Sequence, residues 1–139
     1  MRKKILIFAI VVAVSGAMYA YYQFNKPHQD IAAAKPVAVL IADELFLQYE
    51  SNESESNRRY LGKILEVSGV VYSIEKGPKG DINVLLMPEG EMFGVACNFD
   101  IDKIAENEIG KGDNIIIKGE CAGMLSDVVL IRCVIVKTN

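Results

Sequence analysis

The chain has 139 residues, 51% of them hydrophobic, enough for one domain with a full core and too few for two. Its formal charge is −3, and setting aside Arg2, Lys3, Lys4 and Lys26 leaves 11 basic against 18 acidic residues in the stretch 27–139. A balance of that sign repels phosphate backbones unless the cations gather on one face, and three cysteines without CxxC or Cys/His spacing offer no zinc site.

Arg2, Lys3 and Lys4 precede an uncharged run from Ile5 to Tyr22 that ends near Gln23, Asn25 and Lys26. About 18 apolar residues reach the threshold for crossing a bilayer core of roughly 30 Å. A cleaved signal peptide would need a small-residue site, for which Ser15 and Ala17, or Met18 and Ala20, are weak candidates. An uncleaved anchor would end in interfacial aromatics, and Tyr19, Tyr21, Tyr22 and Phe24 supply them, so the anchor is preferred. In either reading the basic residues 1–4 stay in the cytoplasm, residues 5–24 enter the membrane and the remainder is exported. No cysteine lies near the end of the run, which argues against attachment through a lipidated cysteine.

Residues 25–36 mix two prolines with polar residues and alanines and read as a tether. His28, the chain's single histidine, lies there as a solvated linker residue and is assigned no role. Residues 37–63 form an N-terminal helical segment. Ala38, Ile41, Ala42, Leu45 and Tyr49 follow helical spacing, with Asp43, Glu44, Gln48 and Glu50 off that stripe. Ser54 and Ser56 are possible caps of a further turn or two. Arg58 and Arg59 beside Glu53 and Glu55 read most simply as a solvated, self-neutralising face; an anion site is the sharper alternative.

Residues 64–137 read as five strands. In the long first one Leu65, Val67 and Val71 alternate with Glu66, Ser68 and Tyr72, and Gly69 permits a sharp bend, so that each half can pair with a different neighbour. Lys76 to Asp81 make a turn, residues 82–87 a second strand, and Phe93, Val95, Cys97 and Phe99 a third. Asp100 would cap a short helix through Asn107. Ile115, Ile117, Gly119 and Cys121 alternate in the fourth strand, residues 122–127 form a loop, and residues 128–136 make an almost continuously apolar fifth strand.

That order is the order of a mainly β fold, the five-stranded OB-fold Greek-key barrel, here with an N-terminal amphipathic helix, a short helix between strands three and four, and one preceding transmembrane helix. The stretches NESESNRRYLGKILEVSGVVYSIEK, VACNF, GKGDNIIIKGECAG and SDVVLIRC resemble the tRNA-anticodon-like OB-fold family of small bacterial exported or membrane-anchored proteins. The likeness runs from about Leu40 to Val136, and its strongest marks are Tyr60, Gly62, Lys63, Val67, Gly69, Gly112, Gly119, Asp127 and Cys133. It implies fold and placement in the cell envelope, and carries no catalytic residue across.

Three classes of function are weighed. The first is a non-enzymatic, membrane-anchored extracytoplasmic binding module for a protein, a glycan or another copy of itself, without cofactor. OB barrels bind on strands two and three and in two flanking loops, which makes Lys76, Lys79, Met87, Phe93, Met124 and Leu125 the candidate ligand-binding residues. The alternative is a single-stranded nucleic-acid-binding protein, which needs a basic groove interleaved with exposed aromatics; Lys76, Lys79, Lys118 and Arg132 offer charge, but there is no tryptophan and the balance is acidic. Enzymatic chemistry is the third, and no nucleophile with a base, carboxylate pair or phosphate loop supports it. The cysteines are either small buried hydrophobes or partners in a disulfide; because strands three and five meet where an OB barrel closes, Cys97 and Cys133 are the candidate pair.

Overall fold

The computed structural model describes residues 2–24, 30–87, 90–100, 104 and 109–138. Its elements are α1 (Arg2–Phe24), β1 (Ala38–Ile41), α2 (Ala42–Ser51), α3 (Glu53–Tyr60), β2 (Ile64–Lys76), β3 (Ile82–Leu86), β4 (Val95–Phe99), β5 (Asn114–Met124) and β6 (Val128–Thr138). The short helix expected over residues 100–107 falls almost wholly outside the described residues. Within α1, Ile7–Phe24 is an 18-residue stretch long and apolar enough to cross a membrane, and none of it is buried against protein.

The strands run in the order β2-β3-β4-β6-β5, and a pairing of β2 with β5 closes the ring. This is the five-stranded OB barrel, antiparallel throughout except for the parallel β4–β6 pair. Closure depends on β2 serving two neighbours: Ile64 to Val70 pair with β5, and Val71 to Lys76 pair with β3. The exchange falls at Gly69 and Val70, where the sequence pattern predicts a bend. A Cβ on Gly69 would lie 3.0 Å from the Cβ of Ala42 and 3.2 Å from that of Leu86, so the missing side chain also lets α2 sit directly on the strand.

The helical stripe predicted from Ala38 holds only from Ala42 onward. Ala38 to Ile41 instead form β1, which pairs in parallel with Leu65 to Ser68 of β2. The run Val-Ala-Val-Leu-Ile is rich in β-branched residues and meets an open strand edge, and the ladder outweighs helix propensity there. From Ala42 the stripe is as expected, with Ala42, Leu45 and Tyr49 buried. Asn52, rather than either serine, caps α3, its side chain accepting from the Glu55 N–H at 3.1 Å. Ser56 is buried and donates to the Gln48 carbonyl, tying the two helices together.

One continuous core fills the barrel and the space under α2 and α3, from Leu45, Tyr49 and Tyr60 through Leu65, Val67, Val84, Phe99, Ile117 and Leu130. Burying such side chains stabilises by about 1.5–3 kcal/mol each. The apolar run of β6 conceals a change of phase. Leu130 and Cys133 both face inward although three residues apart, because Arg132 adopts φ 54° and breaks the alternation with a bulge. Its guanidinium pairs with Glu120 on β5.

Candidate binding face and groove

The outer face of β3 and β4 is set by a strict alternation. Ile82, Val84 and Leu86, and across from them Val95, Cys97 and Phe99, point into the barrel. Asn83, Leu85, Ala96 and Asn98 are therefore left outside, with Asn83 opposite Asn98 and Leu85 opposite Ala96. The Asn98 amide donates to Asp81 Oδ2 at 3.0 Å and to Asn83 Oδ1 at 2.8 Å, a polar row along the strand pair. Tyr72 flanks this face half-exposed, with Lys111 Nζ 4.8 Å from its ring centroid.

Two loop regions bound the face at opposite ends of β3 and β4. One is the turn from Lys76 to Asp81, closed by the Gly77 N–H donating to the Asp81 carbonyl. The other joins the segment around Phe93 to the β5–β6 loop: the Gly94 N–H donates to Asp127 Oδ1 at 2.8 Å, and the Val128 N–H donates to the Gly94 carbonyl. Gly94 has no room for a side chain, since a Cβ would stand 2.2 Å from the Leu86 carbonyl oxygen.

Beside this second end lies a groove of about 540 Å³ between α2 and the segment 90–94. Phe46 and Leu47 form one wall and Met92 and Phe93 the other, with the two phenylalanine rings stacked at 6.5 Å and 22°. Asp43, Glu50 and Glu91 supply its charge, and among the described residues no basic side chain lines it. An apolar floor under three carboxylates suits a ligand that is apolar and cationic at once.

Of the residues singled out in the sequence, Phe93 lines the groove, Leu125 is exposed in the β5–β6 loop tied to Gly94 through Asp127, and Met124 is half-buried against the core. Met87 is buried and offers no surface. Lys76 and Lys79 are exposed at the far end, a β3 strand's length of about 15 Å away. The pattern reading missed the helix wall of the groove. Its signal was present in Phe46 and Leu47, two large apolar residues lying off the buried stripe of α2.

All three cysteines are buried free thiols. Cys97 and Cys133, the expected pair, both lie buried inside the barrel on the neighbouring strands β4 and β6. Burial first, then the neighbouring Cys133 thiol, push the Cys97 thiol well above the usual range. Cys121 instead sits 3.1 Å from the Tyr49 hydroxyl, and burial together with that contact drives the Tyr49 hydroxyl far above the ordinary tyrosine value.

A closed five-stranded barrel carrying a polar strand face between two loops, with an acidic apolar groove at one end, defines an OB-fold binding domain. The chain belongs to the tRNA_anti-like family, which matches residues 1–135. Among solved structures it is similar to a lipoprotein from Klebsiella pneumoniae described as a candidate nucleic acid-binding protein, at 21% identity and a TM-score of 0.55. The match covers 81% of this chain and 100% of the other. At that identity the likeness speaks for the fold. No curated protein matches the chain.

Proposed function

We propose that this protein is a non-catalytic binding module held at a membrane by residues 5–24, with residues 25–36 as tether, residues 37–63 as the helical segment and the barrel of residues 64–137 outside the cytoplasm. Its ligand is a protein segment carrying basic and apolar side chains together. The observation that carries this is the groove of Phe46, Leu47, Met92 and Phe93 under Asp43, Glu50 and Glu91. Leu125, 90% exposed in the β5–β6 loop that Asp127 ties to Gly94, adds apolar surface at the same end of the barrel.

A second reading, single-stranded nucleic acid on the β3–β4 face, is favoured by the lysine over Tyr72, by Lys76 and Lys79 at the face's edge, and by the description of the Klebsiella lipoprotein. Against it stand Asp81 and Glu75, carboxylates at the same face. A photocrosslinking side chain placed at Phe93 and, separately, at Asn98 in the full chain in its native membrane tests both. Protein adducts at position 93 support the groove. Nuclease-sensitive adducts at position 98 with none at position 93 move the function to nucleic acid.

We also infer that Cys97 and Cys133 are joined outside the cytoplasm, each thiol losing a proton and an electron to a disulfide-bearing oxidant. Their burial side by side on the paired strands β4 and β6 supports this. Alkylation of unfolded, unreduced protein then labels Cys121 alone; three labelled thiols in protein taken from the envelope would rule the bond out.

A further inference from the structure

β1 stands at the end of the sheet order, paired with β2 on one side and with no strand on the other among the described residues. Such an edge is normally guarded by charge, proline or a covering loop. Here it carries Val37, Val39 and Ile41, exposed at 59%, 68% and 54%. Val37 donates its N–H to the Ile64 carbonyl, and the backbone groups of alternate residues point to opposite edges of a strand, so Ala38 and Leu40 direct theirs to the open side.

We propose that the edge is filled by β1 of a second copy of this chain, antiparallel about a two-fold axis at Val39. In that register Ala38 of one copy and Leu40 of the other exchange both backbone hydrogen bonds, twice over by symmetry. Val39 faces its own counterpart across a non-hydrogen-bonded pair, and Val37 meets Ile41. No other register centred on β1 pairs the outward groups of Ala38 and Leu40 completely.

The charges beside the strand are arranged to match. The surface around Val37 and Ala38 holds Arg58, Arg59 and Lys63 with Glu55. The surface around Ile41 and Leu47 holds Asp43, Glu44 and Glu55 with Arg59. Glu55 is common to both and pairs with Arg58 as well as Arg59, two cations to one carboxylate, so the end near Val37 keeps an excess of positive charge with Lys63, while Asp43 and Glu44 stand at the other end of β1. The two-fold places the basic end of each copy against the acidic end of its mate. An extended segment of a different protein would need no such symmetry of charge. The pairing is independent of what occupies the groove of Phe46 and Phe93.

The test is disulfide trapping of the full chain in membranes, using Val39→Cys, which sits on the axis. A non-hydrogen-bonded antiparallel pair has a Cα separation of about 4.5 Å, within the range a disulfide spans. The native cysteines are buried and serve as an internal background. Mild oxidation is expected to give a reductant-sensitive species of twice the monomer mass, at least several-fold more than with Val70→Cys, an exposed position on β2. In the Val39→Cys background, Arg58→Glu and Glu44→Lys are each expected to lower trapping several-fold, and their combination to restore it. Trapping no greater than at Val70→Cys, an adduct to a different protein, indifference to the single charge reversals, or failure of the double variant to recover would each overturn the proposal.

Discussion

Gly119 shows how little slack the barrel interior has. Its missing side chain leaves the space that the Cys133 sulfur fills, and a Cβ there would come within 2.7 Å of that atom. Gly119→Ala is therefore expected to cost about 1–3 kcal/mol, read as a lower urea midpoint of the full chain in detergent with an unchanged slope. Arg132, at φ 54°, is a second exacting position. A β-branched replacement, Arg132→Val, should destabilise by about 1–2 kcal/mol beyond Arg132→Gly, since both lose the pair with Glu120 and only glycine accepts the left-handed backbone at no steric cost. Titration adds a third expectation at this scale. Cys97 and Tyr49 hold their protons when folded at pH values where an unfolded cysteine or tyrosine, ordinarily near 9.0 and 10.0, has begun to lose them. Their contribution is complete below about pH 9 and declines as pH rises above it, because the unfolded state releases protons first. Denaturant midpoints of the reduced protein should be flat from pH 7 to about 9 and fall beyond; a midpoint that stays level to pH 11 would contradict the burial of these groups.

At the level of elements, the pair α2 and α3 covers one end of the barrel through a few buried contacts. Leu45 and Tyr49 enter the core, the Tyr60 hydroxyl donates to Gln48 Oε1 at 2.7 Å, and the rings of Tyr49 and Tyr60 lie 6.4 Å apart. Removing Leu45 as Leu45→Ala should cost about 2–5 kcal/mol, while removing the α3 cap as Asn52→Ala should cost about 1 kcal/mol, both read from thermal or urea midpoints. The same α2 carries Phe46 and Leu47 on its other flank, so one helix closes the barrel and walls the groove. Leu45→Ala thus acts on stability, whereas Phe46→Ala should act on ligand capture with a smaller loss of stability, because Phe46 is only partly buried. The division follows from a helix having several faces and a buried stripe occupying one of them.

For the molecule as a whole, the apolar α1 and the acidic domain pull in different directions. A fragment of residues 30–138 should stay dispersed without detergent at neutral pH, while the full chain should require it; light scattering of the two preparations checks this. The sequence pI is about 5.2, so the domain is negatively charged at neutral pH and association with cationic peptides should weaken as salt rises. Salt-insensitive capture would count against the carboxylates of Asp43, Glu50 and Glu91 as determinants.

Alternation of period two in β2, β4 and β5, the turn residues between the strands and the apolar first helix were legible from the chain, because local periodicity and φ preferences act through neighbours one to four residues apart. The order of elements pointed to the OB barrel and hence to its closure, and the resemblance agreed with it. What the chain could not disclose is where distant backbones compete for the same residues. Ala38 to Ile41 satisfy a helical stripe and a strand equally well, and only the open edge of β2 decides between them. The bulge at Arg132 is hidden in a run where every residue is apolar around it, and only the demand that Leu130 and Cys133 both face the core reveals it. The groove joins Phe46 to Phe93 across 47 positions of sequence, a juxtaposition made by packing α2 on the barrel. Pattern determines which face of an element is apolar; which two apolar faces meet is a property of the assembled whole.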